Sequence, residues 1–147
     1  MSPAINIQHH YAVPVERLWS ELEQIDRHVL WMADAVKITF TTPQERGLGT
    51  TFTCLTKVGP LSLTDVMTIT AWEAQRSMGV RHSGIVTGEG LFTLQAAENG
   101  STLTWAETLA FPWWMAGKIG EFLAKPILTA LWKGNLRRLE RLLIEIN

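Results

Sequence analysis

Apolar and polar residues alternate from the start of the chain. Ile5, Ile7, His9, Tyr11 and Val13 interleave with Asn6, Gln8, His10 and Ala12, the period-two pattern of a strand with one buried face. The period then lengthens. Pro14 fits a first helical position, and Val15, Leu18, Leu22 and Ile25 recur at steps of three and four with Trp19 beside them. Asp26 can cap a further turn through Trp31 and Met32, which predicts two short helices in tandem. Val36, Ile38 and Phe40 resume alternation against Lys37 and Thr39, and the stretch from Thr41 to Gly49 collects Pro43, Gly47 and Gly49 in a connecting loop. Strands centred on Phe52, Met67, Val80, Phe92 and Trp105 follow as a meander, separated by turn signals at Gly59-Pro60, Ala74-Gln75, Ser83-Gly84 and Asn99-Gly100. After Pro112 the period is helical to the end, with Ile119, Leu123, Ile127, Leu131, Leu139, Leu142 and Ile146 on or near one face. Pro126 removes one backbone hydrogen bond inside that helix, which predicts a kink or two abutting helices.

The turns fix which strand residues face inward. A two-residue type I′ turn at Asn99-Gly100 sets Ala96 opposite Leu103, Leu94 opposite Trp105 and Phe92 opposite Glu107. The turn at Ala74-Gln75 sets Ile69 opposite Val80 and Met67 opposite His82, with Asp65 on the same face, and Gly59-Pro60 sets Cys54 opposite Asp65. A two-residue turn at Ser83-Gly84 would turn Arg81 inward, and a bulge there restores His82. The apolar face of the sheet thus carries Asp65, His82 and Glu107. An ionised carboxylate sealed in a dry core costs several kcal/mol. Either these groups have partners or the interior is wet. Asp65 and His82 are diagonal neighbours able to pair, whereas Glu107 has no evident partner in the sheet. A basic residue of the final helix could satisfy it as a structural ion pair.

Composition narrows the class. The chain has 147 residues, the size of one ordinary domain, and a formal net charge of -1 without the basic footprint of a nucleic-acid binder. Cys54 is the only cysteine, so no intramolecular disulfide can form and a reducing compartment is expected. No basic stretch precedes an apolar run at the start, so no secretory leader is read there and a cytoplasmic location is expected. Lys118, Glu121 and Lys125 interrupt the apolar stretch from Leu109 to Trp132, so stable membrane insertion is not expected. Seven Trp form a large aromatic content, used by cores and ligand pockets alike.

The order strand, two short helices, six strands and one long helix, together with Ala12-Val13-Pro14-Val15-Glu16-Arg17-Leu18-Trp19 at the first junction and Asn135-Leu136-Arg137-Arg138-Leu139-Glu140-Arg141-Leu142-Leu143 near the end, resembles the START-like superfamily. That superfamily includes the birch pollen allergen relatives and the bacterial polyketide cyclase/dehydrase-like and coenzyme Q-binding groups, and the likeness is nearest to the cyclase-like group. Leu18 stands where the junction motif usually has valine. The resemblance implies an α+β helix-grip fold over residues 1–147, a seven-stranded curved antiparallel sheet wrapped around a long C-terminal helix. It also implies a cavity between them for a lipid, quinone or polyketide, and it transfers no catalytic residue.

Three functions from different classes follow. The first is binding or transport of a small hydrophobic or amphipathic ligand, lined by Phe40, Phe52, Cys54, Met67, Phe92, Trp105, Ile119 and Leu123, with Asp65, His82 and Glu107 as polar anchors. The second is a cyclase or dehydratase in which Asp65, His82 and Glu107 act as general acid and base. A third, an interaction protein docking through Trp113 and Trp114, has ordinary lid packing as its alternative. No cofactor is expected. His9 and His10 point to opposite faces of a strand and His28 and His82 lie elsewhere, so no metal site is read. No nucleophile elbow, phosphate loop or dinucleotide fingerprint occurs. Gly117 and Gly120 read as helix packing contacts, and the oligomeric state is left open.

Overall fold

The structure, a computed structural model, describes residues 4–145. Strand β1 (Ile5–Tyr11) leads through α1 (Val15–Leu22) and a 3-10 turn (Ile25–Leu30) to β2 (Ala35–Phe40). Then come β3 (Thr51–Val58), β4 (Leu61–Glu73), β5 (Ser77–Ser83), β6 (Thr87–Ala97) and β7 (Gly100–Ala110). A short 3-10 turn (Trp113–Met115) enters α2 (Gly117–Glu145). The strands form one antiparallel sheet in the order β1-β7-β6-β5-β4-β3-β2, so the two helical segments after β1 carry the chain from one sheet edge to the other.

Local chemistry accounts for the elements. Pro14 is extended at φ -67° and ψ 159° and accepts the first helical bonds from Arg17 and Leu18, which places it just before α1 rather than inside it. Helix α1 buries Leu18, Trp19 and Leu22, and its buried Glu21 receives Arg27 Nε at 2.7 Å. Asp26 lies within the 3-10 turn and not before it, so the expected cap is replaced by bonds to the Gln24 and His28 carbonyls. A bulge between Ala35 and Lys37 reverses the start of β2: Ala35 is buried and Val36, expected inside, is exposed.

Three turns differ from their expected form. At the β6–β7 hairpin Ala97 pairs with Gly100, so the turn residues are Glu98 and Asn99, and only Asn99 of that pair has positive φ, 62°. Type I′ needs it at both. A side chain on Gly100 would strike the Tyr11 carbonyl oxygen, which fixes glycine just after the turn. The register moves by two residues, pairing Leu94 with Leu103 and Phe92 with Trp105, and a shift of two leaves every side chain on its expected face. At β4–β5 the turn holds three residues, and a compensating irregularity between Ile69 and Ala71 restores Ile69 opposite Val80 and Met67 opposite His82. At β5–β6 the connection is three residues long, and His82, not Arg81, faces inward.

Helix α2 is a single helix through Pro126, not two abutting ones. Its C-terminal half is fastened on both sides of the sheet. Tyr11 of β1 donates its hydroxyl to the Leu136 carbonyl at 2.9 Å, and His9 meets Glu140 at 2.6 Å. Toward β2, Asn135 accepts the Ala33 amide at 3.0 Å and donates to Asp34 at 2.8 Å. Between these anchors Leu136, Leu139 and Leu143 fill the core, each contributing roughly 1.5–3 kcal/mol by burial. Ile146, expected on the same face, lies outside the described residues. Because Asn135 satisfies groups on two other residues, Asn135→Leu is expected to cost about 1–3 kcal/mol despite its similar size, measured by urea unfolding.

The N-terminal half of α2 is held differently. Gly120 lies so close to the Met115 carbonyl that a side chain there would collide, and buried Glu121 accepts the Phe111 amide at 2.6 Å. These contacts pin the helix start to the end of β7. Space remains between this half and the sheet.

Candidate functional site

That space is a cavity of about 280 Å³, just below the ~300–1,000 Å³ typical of small-molecule pockets. The sheet supplies Ile38, Phe52, Cys54, Asp65, Met67, Val80, His82, Phe92, Trp105 and Glu107. Helix α2 covers them with Ala124, Ile127, Leu128 and Trp132, and the segment before β2 closes one end with His28 and Met32. Partly exposed Leu61 and Met115 and mostly exposed Ile127 mark where the cavity meets solvent.

Most of the wall residues expected from sequence are therefore assembled in one place. Three are not. Phe40 packs edge-on against Phe52, ring centroids 5.9 Å apart, outside the lining. Ile119 and Leu123 are 70% and 62% exposed and face away from the sheet. The inward stripe is the one that continues Leu143, Leu139 and Leu136 backward through Trp132, Leu128 and Ala124, offset by one residue from the stripe chosen by apolarity alone. Sequence reading passed over His28, Ala35, Ala124, Leu128 and Trp132. The leucine-rich end of α2, stepped backward by threes and fours, would have found the last three.

The polar residues form one cluster. His82 on β5 and Glu107 on β7 are separated by β6, yet His82 Nε2 lies 3.1 Å from Glu107 Oε1. Gly90 on β6, opposite Glu107 and diagonal to His82, leaves room for the contact: a Cβ there would sit 2.4 Å from that carboxylate oxygen. Glu107 thus has the partner that sequence reading did not identify, and it comes from the sheet rather than from a basic residue of α2. The pair is almost fully enclosed, with 11% and 5% of the side chains exposed.

Asp65 lies on the same face, opposite Cys54. Its Oδ1 is buried with no hydrogen-bond partner among the described residues. Burial pushes this carboxyl above the usual carboxylate range and Glu107 adds to the shift, while His82 and Thr56 oppose it. For His82, burial is the largest influence and disfavours the imidazolium. The hydrogen bond and charge of Glu107, with the charge of Asp65, outweigh it and leave the imidazole above its ordinary value. His28 shows what burial does without such a partner: its Nε2 lies 2.8 Å from the Leu22 carbonyl, and enclosure holds its pKa below the usual value.

Cys54 is enclosed beside this cluster, and burial pushes its thiol up to about 11. At pH 8 alkylation of the folded chain is then expected to be on the order of 10²-fold slower than in denaturant, read by mass spectrometry of the labelled protein. Among the described residues no group of three or more His, Cys, Asp or Glu could hold a metal ion.

The curved seven-stranded antiparallel sheet closed by a long C-terminal helix is the helix-grip fold of birch-pollen-allergen-like proteins. Solved structures share it over nearly their whole length. The protein TTHA0849 from Thermus thermophilus superposes with a TM-score of 0.83 at 11% identity, covering 99% of both chains. MLL2253 from Mesorhizobium loti gives 0.74 at 16% identity and 99% of both chains. Ara h 8.0201 gives 0.70 at 13% identity, covering 97% of this chain and 98% of that one. No family model matches the chain, and no curated protein matches it in sequence. Identities this low speak for the fold alone.

Proposed function

We propose that this protein binds a small amphipathic molecule between the sheet and α2, with the guest's apolar body against Phe52, Met67, Phe92, Trp105 and Leu128 and its polar end at Asp65, His82 and Glu107. The observation that carries the reading is the Asp65 oxygen, enclosed without a partner beside an ion pair in an otherwise apolar wall. Such an atom costs stability unless something donates to it, and a guest hydroxyl or amine does so. The guest is of the lipid, quinone or polyketide class, and the chain is a carrier or sensor nearest in kind to the cyclase-like group. Its one cysteine, buried and reduced, suits the cytoplasm. Native mass spectrometry of freshly purified protein is expected to show one small molecule per chain, released on denaturation, whose mass separates the three classes. A chain that is bare from every expression host contradicts the reading.

A second reading is favoured by one feature. A carboxyl held above its usual range stands in the same wall as a histidine–carboxylate pair, the combination that proton transfer in a cyclisation or dehydration requires. Under that reading Glu107→Gln abolishes turnover and spares affinity. Under the first it weakens affinity alone.

A further inference from the structure

We propose that the outward face of the N-terminal half of α2, with the turn before it, docks on an anionic lipid surface. Trp113 is 87% exposed and Ile119 and Phe122 are each 70% exposed, and Trp114, Leu123 and Ile127 join them above one half exposed. Single exposed apolar residues are ordinary, but six large ones gathered on one turn and the first three turns of one helix are not. Ile119, Phe122 and Leu123 point away from the inward stripe of Glu121, Ala124 and Leu128, and Ile127 sits at the border, mostly exposed while one side of it lines the cavity.

Charge identifies the partner. From Phe111 to Arg138 the acid residues number one, Glu121, and its carboxylate is buried on the Phe111 amide. The other charges are Lys118, Lys125, Lys133, Arg137 and Arg138, all cationic, in a chain whose formal net charge is -1. Lys125 and Lys133 border the shallow groove formed by Phe122, Leu123 and Pro126 on this face. An apolar face with indole rings at one end and lysines along its border matches the acyl boundary and headgroup layer of an anionic bilayer. Symmetric self-association through this face would set its own cations against one another. No described helix is long and apolar enough to cross a membrane, so the contact lies in the plane of the interface. The cavity reaches this face, since Ile127 and Met115 belong to its lining. The docking proposal does not depend on what the cavity holds.

The test is flotation of the full chain with two vesicle preparations, phosphatidylcholine alone and equal parts phosphatidylcholine and phosphatidylserine. Partitioning is expected to be at least about tenfold stronger on the anionic vesicles and to weaken in high salt. The double variant Trp113→Ala, Trp114→Ala is expected to lose about tenfold or more in binding, and Lys118→Gln with Lys125→Gln to lose the preference for phosphatidylserine. Both pairs are surface changes, and unchanged thermal melts establish that the variants fold. Three results overturn the proposal: no flotation with anionic vesicles, undiminished flotation of the tryptophan variant, or a concentration-dependent dimer that the tryptophan variant dissociates.

Discussion

Replacing Trp132 with alanine is expected to lower the unfolding free energy by about 3–5 kcal/mol and to abolish retention of a guest. Trp132 is 4% exposed, stacks on Trp105 with centroids 4.8 Å apart and planes at 15°, and donates its indole N–H to Asp34 at 3.2 Å. It therefore joins the helix to β7 through the rings and to the start of β2 through the hydrogen bond. It also forms part of the cavity wall, so its loss would open a void continuous with space already there. Repacking cannot close such a void cheaply, which places the cost at the upper end for aromatic truncation. Urea unfolding checks the number. A loss under about 1 kcal/mol would show that α2 is not gripped at this point.

The second large effect concerns His82. In the wild-type chain its imidazole is held above the ordinary value by Glu107 and Asp65 against the opposing pull of burial. Glu107→Gln removes the larger of the two supports, and burial then prevails. The titration midpoint is expected to cross from above the ordinary histidine value of about 6.5 to below it. Following the His82 ring proton by NMR measures this directly, and a midpoint that stays high in the variant refutes the pairing.

Stability should follow with a definite sign. A raised folded-state value means that the contribution of His82 is complete below about pH 6.5 and is lost as pH rises through the folded-state value. Asp65 acts in the same direction, since the cost of its ionised form is absent in acid and grows as pH rises from the usual carboxylate range through its raised value. His28, held low, acts oppositely and loses stability as pH falls below about 6.5. The variant should retain the acid-side loss from His28 and lack the neutral-to-alkaline loss from His82.

The topology was legible because it rests on coarse periods that local irregularities did not disturb. The β6–β7 register missed by two residues, but parity survived, so Phe92, Trp105 and Glu107 still faced inward. At β4–β5 a longer turn and the irregularity between Ile69 and Ala71 cancelled, leaving Met67 opposite His82 as the shorter turn implied. In β2 nothing cancelled, and Val36 turned outward.

The helix face was harder for a different reason. Apolarity ordinarily marks the buried side, but the first half of α2 carries apolar residues outward as well as inward, so Ile119 and Leu123 looked like wall residues. The His82–Glu107 contact was hidden because it passes over an intervening strand, and pairing rules connect adjacent strands only. Gly90, an inward position without a side chain directly opposite Glu107, was the available sign. Cavity volume depends on how far the start of α2 stands from the sheet, a distance that no residue pattern encodes.

The proposed binding requires that the space beneath α2 admit a guest. Titration with N-phenyl-1-naphthylamine, an uncharged aromatic probe with one N–H donor that fluoresces in apolar surroundings, decides the matter. Wild-type protein should show saturable one-to-one enhancement. Ala124→Trp, which plugs the cavity from the helix side and leaves the outer face intact, should show none beyond what that face contributes. Equal enhancement in both proteins would place the probe on the surface and rule out a guest beneath α2.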